Sequence, residues 1–177
     1  DDVLDYGAQL VIVATGSHWR GDGVQPEHLA AIDGADAAMA HVMTPEQVML
    51  DGKRPARGPV VVYDTDGYYV GPGIAELLAR EGFDTHLVTT YPVVSPVSDS
   101  TLEGSMLRRH LHDLGVTCHR EVTLTAVTQS RVRGLDEFDE PWELECTGLV
   151  LVTQQASDDQ LYRELVTDNI ILRKRLV

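Results

Sequence analysis

Gln9-Leu10-Val11-Ile12-Val13-Ala14 is a near-continuous apolar run, rich in β-branched residues and stopped by Gly16, which predicts a strand buried on both faces. From Ser17 to about Met43 the period is lost among Gly21, Gly23, Pro26 and Gly34, so a crossing connection is expected there. Thr44-Pro45-Glu46-Gln47 then offers an N-cap Thr, a Pro at the first helical position and a Gln at the third. This predicts a short helix through Leu50, ended by Gly52-Lys53-Arg54-Pro55.

The clearest unit follows. Pro59-Val60-Val61-Val62-Tyr63 reads as a buried strand, Asp64 to Gly73 as a Gly-rich turn, Ile74 to Arg80 as a helix closed by Gly82, and Thr85 to Thr89 as a second strand. A strand, helix and strand within about 30 residues predict a right-handed βαβ crossover, and with it an α/β fold of Rossmann-like type. Beyond a loop with Pro92 and Pro96, a helix is expected from about Thr101 to Leu114. Short strands follow at Val116–His119 and Glu121–Val127, then an acidic turn from Asp136 to Pro141. Trp142 to Cys146 alternates apolar and polar residues, as in a strand with one solvated face. Leu149 to Thr153 is the last buried strand, Asp158 to Val166 a closing helix, and Arg173-Lys174-Arg175 a solvated tail.

Charge narrows the partners. Fourteen Lys and Arg against 28 Asp and Glu give a formal charge of -14, a sign that repels nucleic acid and anionic lipid. With 43% hydrophobic and 24% charged residues, the 177-residue chain has ordinary globular composition. Cys118 and Cys146 form no Cys-x-x-Cys pair, so neither a disulfide framework nor a zinc ribbon is indicated, and a cytoplasmic location is expected. No apolar run reaches the roughly 18 residues of a membrane span. The acidic start, Asp1-Asp2-Val3, lacks an initiator Met and suggests a processed or excised piece whose chemistry lies elsewhere.

The turn after the first βαβ strand bears on cofactors. A dinucleotide site needs bare glycines so that backbone can approach a pyrophosphate at a helix N-terminus. Here Asp64-Thr65-Asp66-Gly67-Tyr68-Tyr69-Val70-Gly71-Pro72-Gly73 puts two carboxylates and two tyrosines in their place. Each carboxylate opposes a pyrophosphate by about 1 kcal/mol at 4 Å in water, and by more when desolvated. The second strand ends in Thr89-Thr90-Tyr91, with neither an acid for a ribose hydroxyl nor an Arg for a 2′-phosphate. NAD or NADP binding is therefore not expected. Gly67 and Gly71 remain the candidate cofactor-facing positions, with Gly71 also able to serve helix–strand packing.

Other reactive residues point nowhere specific. His110 and His112 lie on different sides of a helix and complete no metal-ligand spacing. His86 and His119 read as satisfied structural residues, Cys118 as an inert buried thiol, and Arg108-Arg109 as a solvated helix face. Ser95, Ser98, Asp99 and Ser100 near His110 lack the Gly-x-Ser-x-Gly elbow of a hydrolase. Tyr68 and Tyr69 are expected to cover the end of the sheet. No catalytic residue and no metal ligand is assigned.

Val11-Ile12-Val13-Ala14-Thr15-Gly16-Ser17 resembles the Ala-Thr-Gly strand end of flavoproteins built from two dinucleotide-binding domains. Taken with His18-Trp19, Thr44-Pro45-Glu46-Gln47-Val48-Met49, Tyr63 to Pro72 and Leu149 to Thr153, the chain resembles the C-terminal region of the trimethylamine, dimethylamine and histamine dehydrogenases, relatives of the dienoyl-CoA reductases. The resemblance runs from about residue 5 to 166. It implies a glutathione-reductase-like, three-layer arrangement. Residues 1–42 and 149–177 would belong to an FAD-like domain, and 43–148 to an inserted, degenerate NAD-like one. It further implies ADP, or FAD, near Ala14, Thr15 and Gly16, and FMN with a 4Fe-4S cluster in an N-terminal TIM barrel absent from this sequence. Electron-transferring flavoprotein and a second copy of the enzyme would be partners. Two alternatives stand beside it: an NAD(P)H-binding module like that of the reductases, or a Rossmann-like interaction domain with an acidic face.

Overall fold

The computed structural model describes residues 5–7, 10–26 and 29–167. The start of the predicted first strand at Gln9 and the basic tail lie outside these. Contacts divide the chain into a larger compact unit, Trp19–Gln155, and a smaller one formed by residues before and after it.

In the larger unit, β2 (Val42–Met43), β3 (Pro59–Asp64), β4 (Asp84–Thr89), β5 (Thr117–His119) and β9 (Gly148–Val152) form a parallel sheet in the order β2-β9-β3-β4-β5. A second, antiparallel sheet contains β6 (Thr123–Val127), β7 (Arg131–Leu135) and β8 (Pro141–Glu145). Strand β1 (Ser17–Trp19) pairs with β10 (Gln155–Ser157). The helices are α1 (Pro45–Met49), α2 (Val70–Arg80), α3 (Val97–Ser100), α4 (Gly104–Asp113) and α5 (Gln160–Thr167).

The central strands β3 and β9 are buried on both sides because nearly all of their positions are apolar. Along β3, Val60 and Val62 pack with Ile74, Leu78 and Leu111 of the helices. Val61 and Tyr63 pack instead with Leu124, Val127 and Val132 of the small sheet. Layers of helix, parallel sheet and antiparallel sheet result. Strand β9 is wholly buried between β2 and β3, within the compact unit Trp19–Gln155.

Helix α1 starts as expected: Gln47 N–H donates to the Thr44 hydroxyl at 3.4 Å, and Gln47 Oε1 accepts from Thr44 N–H at 3.1 Å. Helix α2 begins four residues before the predicted Ile74 and takes in Gly71, Pro72 and Gly73. Pro72 lies in the first turn, where an N–H has no intrahelical partner to lose. The helix expected from about Thr101 begins at Gly104, because Leu102 adopts φ 64 and separates it from the short α3 before it. Strand β7 was not expected. Its Arg131-Val132-Arg133-Gly134-Leu135 offers little apolar signal, and cross-strand ion pairs from Arg131 (3.2 Å) and Arg133 (3.8 Å) to Glu143 accompany its pairing.

Leu10 to Gly16 forms no strand. Leu10 is 75% and Ile12 81% exposed, so the expected two-sided burial is corrected. An apolar run is buried only where neighbours cover it, and the described residues of the smaller unit supply none for these two side chains.

Candidate functional site

Strand β3 ends in Asp64, flanked in register by Thr89 of β4 and Val152 of β9. Alternation along the strand turns its side chain to the helix side, as for Val60 and Val62. The residue is fully buried. Its Oδ1 accepts N–H bonds from Asp66 and Gly67, each 3.0 Å, and its Oδ2 has no hydrogen-bond partner among the described residues. Gly71, in the first turn of α2, lies against it: a Cβ there would sit 2.6 Å from Asp64 Cγ. The carboxyl group thus holds the place at a helix N-terminus that an anionic ligand takes in nucleotide-binding turns. Burial pushes its pKa up to about 7, with the two N–H donors pulling the other way. Burial also raises Asp66.

The rest of the turn is covered from β4. Gly67 has φ +71, and a Cβ on it would sit 2.6 Å from the Tyr91 ring. Tyr91 OH donates to the Thr65 carbonyl at 3.1 Å, Ser95 Oγ to the Tyr68 carbonyl at 2.7 Å, and Val97 N–H to the Gly67 carbonyl at 3.2 Å. Gly67 and Gly71 therefore face the protein's own side chains. Tyr68 and Tyr69 meet edge to face with ring centroids 4.7 Å apart, and Tyr69 is exposed.

In the smaller unit, Ala14, Thr15 and Gly16 do come together with residues from the far end of the chain. With Val11 to Val13, Ser157 to Asp159, Tyr162 and Leu165 they line a cleft of about 540 Å³. The Thr15 hydroxyl donates to the Asp158 carbonyl, and Asp158 N–H donates to the Gly16 carbonyl at 3.0 Å. The lining mixes apolar and aromatic residues with Thr15, Ser157 and two acidic residues, Asp158 and Asp159, whose charge disfavours phosphate.

The other candidates are partnered. Asp99 pairs with Arg108 at 2.7 Å, and Ser95 with Ser98 at 2.6 Å, so no Ser–His–Asp array forms. Arg108 also donates to the Val94 carbonyl at 3.0 Å, so it ties down the loop rather than lying free on a solvated face. His110 approaches Glu76 at 3.1 Å, and His112 approaches Asp113 at 3.4 Å. Among the described residues no cluster of three or more His, Cys, Asp or Glu could hold a metal. His86 Nδ1 and His119 Nε2 lie 3.0 Å apart, with the His119 ring edge-on to Trp142; burial and then His86 lower the His119 pKa. Cys118 is exposed, and the buried thiol is Cys146, corrected because β5 turns Cys118 outward. Partial desolvation still raises the Cys118 pKa and keeps its thiolate scarce.

Sequence reasoning singled out the turn but not Tyr91 as its cover. Counting alternate positions along β3 would have placed Asp64 on the helix side. Nothing local marks which ring fills the space over Gly67.

Fold and site define a parallel-sheet α/β domain whose dinucleotide-type turn is closed from within. Residues 43–172 match the family described as OYE-like second alpha/beta domain, and the chain belongs to that family. It is homologous to the dimethylamine dehydrogenase of Hyphomicrobium sp. (strain x), with 36% identity over 184 residues, 93% of this chain and 25% of that protein. The 6-hydroxypseudooxynicotine amine oxidase of Pseudomonas geniculata N1 is similar in structure, with a TM-score of 0.86 at 38% identity, covering 94% of this chain and 25% of that one. Histamine dehydrogenase from Rhizobium sp. 4-9 gives a TM-score of 0.86 at 34% identity, covering 95% of this chain and 26% of that one. The resemblance to amine dehydrogenases read from the sequence is thereby borne out. The chain spans about a quarter of the length of each of these proteins. No helix among the described residues is long and apolar enough to cross a membrane.

Proposed function

We propose that this chain is the second α/β region of a flavin and iron-sulfur amine dehydrogenase and supplies scaffold and a nucleotide contact, while a preceding barrel oxidatively deaminates an amine. The observation that carries the reading is the Asp64 carboxyl at the N-terminus of α2, with Gly71 packed against it. Together with Tyr91 over Gly67, it disfavours a working NAD(P)H module.

In this reading residues 1–42 and 149–177 belong to the FAD-like domain, and 43–148 form the inserted, degenerate NAD-like domain of a glutathione-reductase-like arrangement. The cleft beside Ala14, Thr15 and Gly16 suits the adenosine part of ADP or FAD, through Val11, Ala14, Tyr162 and Leu165. Asp158 and Asp159 suit its phosphates poorly, so those would be gripped elsewhere in the parent enzyme. When bound, ADP would supply no redox chemistry; Ala14 to Gly16 would only position its adenosine. FMN and the four-iron cluster belong to the barrel, since two separated cysteines cannot give the four thiolates a cluster needs. A homodimer and electron-transferring flavoprotein as acceptor follow from the family resemblance, and a cytoplasmic location from the lack of a disulfide framework.

The test is a calorimetric titration of the 177-residue chain with NADH, together with an assay of acceptor reduction by histamine or trimethylamine. Neither saturable NADH binding nor turnover is expected. Micromolar NADH binding abolished by Gly71→Ala would overturn the reading, as would amine-dependent reduction by this chain alone.

A further inference from the structure

A cleft of about 370 Å³ lies between α1 and the start of α2, walled by Trp19, Met49, Leu50, Tyr69 and Ile74. Met49 is 58%, Leu50 80% and Tyr69 63% exposed, an uncommon grouping of large apolar side chains at one place. Glu46 is the one charged residue of its described lining. Glu46 Oε1 accepts the Trp19 N–H at 2.8 Å, whereas Oε2 is buried without a partner among the described residues. A carboxylate oxygen shut from water and unbonded is costly, and a cationic N–H donor is the group that most reduces that cost.

We infer that this cleft seats another segment of the same parent polypeptide, one that brings an apolar side chain and, beside it, a Lys or Arg for Glu46. The inference rests on the reading that the chain is part of a longer enzyme. Homologues of this chain run to about four times its length, so roughly three-quarters of such a polypeptide lies outside these residues. The formal charge of -14 makes a basic contact the complementary one.

Four methionines provide the readout. Met43 is fully buried, Met39, Met49 and Met106 are exposed, and peroxide converts accessible methionine to its sulfoxide. In the 177-residue chain, Met39, Met49 and Met106 are expected to oxidise readily and Met43 slowly. In the intact enzyme, Met49 oxidation is expected to slow by about tenfold through burial. Leu50→Glu is expected to leave the melting temperature of the isolated chain unchanged and to lower that of the intact enzyme. Equal Met49 rates in the two forms would overturn the inference. So would a Leu50→Glu variant that lowers the melting temperature of the isolated chain, since Leu50 would then pack within it. Intact mass of the natural polypeptide separates the two ideas: a mass of 19.5 kDa removes the longer enzyme itself, whereas a larger mass with Met49 still open removes only the seated segment.

Discussion

The carboxyl group of Asp64 and the α-carbon of Gly71 are packed so closely that a methyl group on Gly71 would sit 2.7 Å from Asp64 Oδ2. Asp64 closes β3 and Gly71 opens α2, so their contact fixes how the strand feeds the helix. In a nucleotide-binding turn the same closeness serves a phosphate; here a side chain of the protein takes that volume.

Gly71→Ala is expected to destabilise by about 1–3 kcal/mol through overpacking, less the helix-propensity gain of up to about 1 kcal/mol. Asp64→Ala makes room for the methyl, so the double variant should cost less than the two single ones summed. Urea unfolding of the four proteins checks this, and strict additivity would contradict the contact.

Asp64 makes stability depend on pH in a definite direction. Its carboxyl titrates at about 7 in the folded chain against 3.8 ordinarily, because burial disfavours the anion. Between those values the folded chain holds a proton that the unfolded chain has released, so wild-type stability falls as pH rises through the window and levels off above it. Asp64→Asn carries no such proton. Its stability relative to wild type should climb across the window by up to about 1.36 kcal/mol per pH unit. Denaturation midpoints at acid and alkaline pH test this, and parallel profiles for the two proteins would refute it.

His119 acts from the acid side. Burial and the neighbouring His86 lower its pKa from 6.5, so the folded chain prefers the neutral ring. The contribution is present above the unfolded value and is lost as pH falls below it. His119→Gln should flatten that acid arm, measured as melting temperature against pH.

Lys53 gathers three carbonyls: its Nζ donates to Ala37 O at 3.0 Å, Met39 O at 3.0 Å and Val42 O at 2.8 Å. Lys53→Met should cost about 2–3 kcal/mol and speed amide exchange in residues 37–42. Lys53→Arg should rescue little, since a planar guanidinium cannot serve three converging acceptors from one nitrogen.

Tyr63 links the connection to the small sheet. Its OH donates to Gln25 Oε1 at 2.5 Å and accepts from Leu124 N–H at 3.2 Å, while Gln25 Nε2 donates to Leu124 O at 2.9 Å. Tyr63→Phe should lower stability by about 1–3 kcal/mol, since a buried N–H loses this acceptor. Guanidinium unfolding gives the number.

The sequence by itself determined the local elements: the capping box at Thr44, the βαβ run from Pro59 to Thr89, and the buried strand at Leu149. Each is written in contiguous residues whose period, caps and branching bias a few dihedral angles. Tertiary structure alone decided that β9, distant in sequence, lies between β2 and β3, and that Tyr91 covers Gly67. It also decided that the unpromising Arg131–Leu135 becomes a strand against Glu143 and Glu145. These outcomes depend on which distant surface fills a given volume. That is settled by the packing of the whole chain, and no local stretch of residues encodes it.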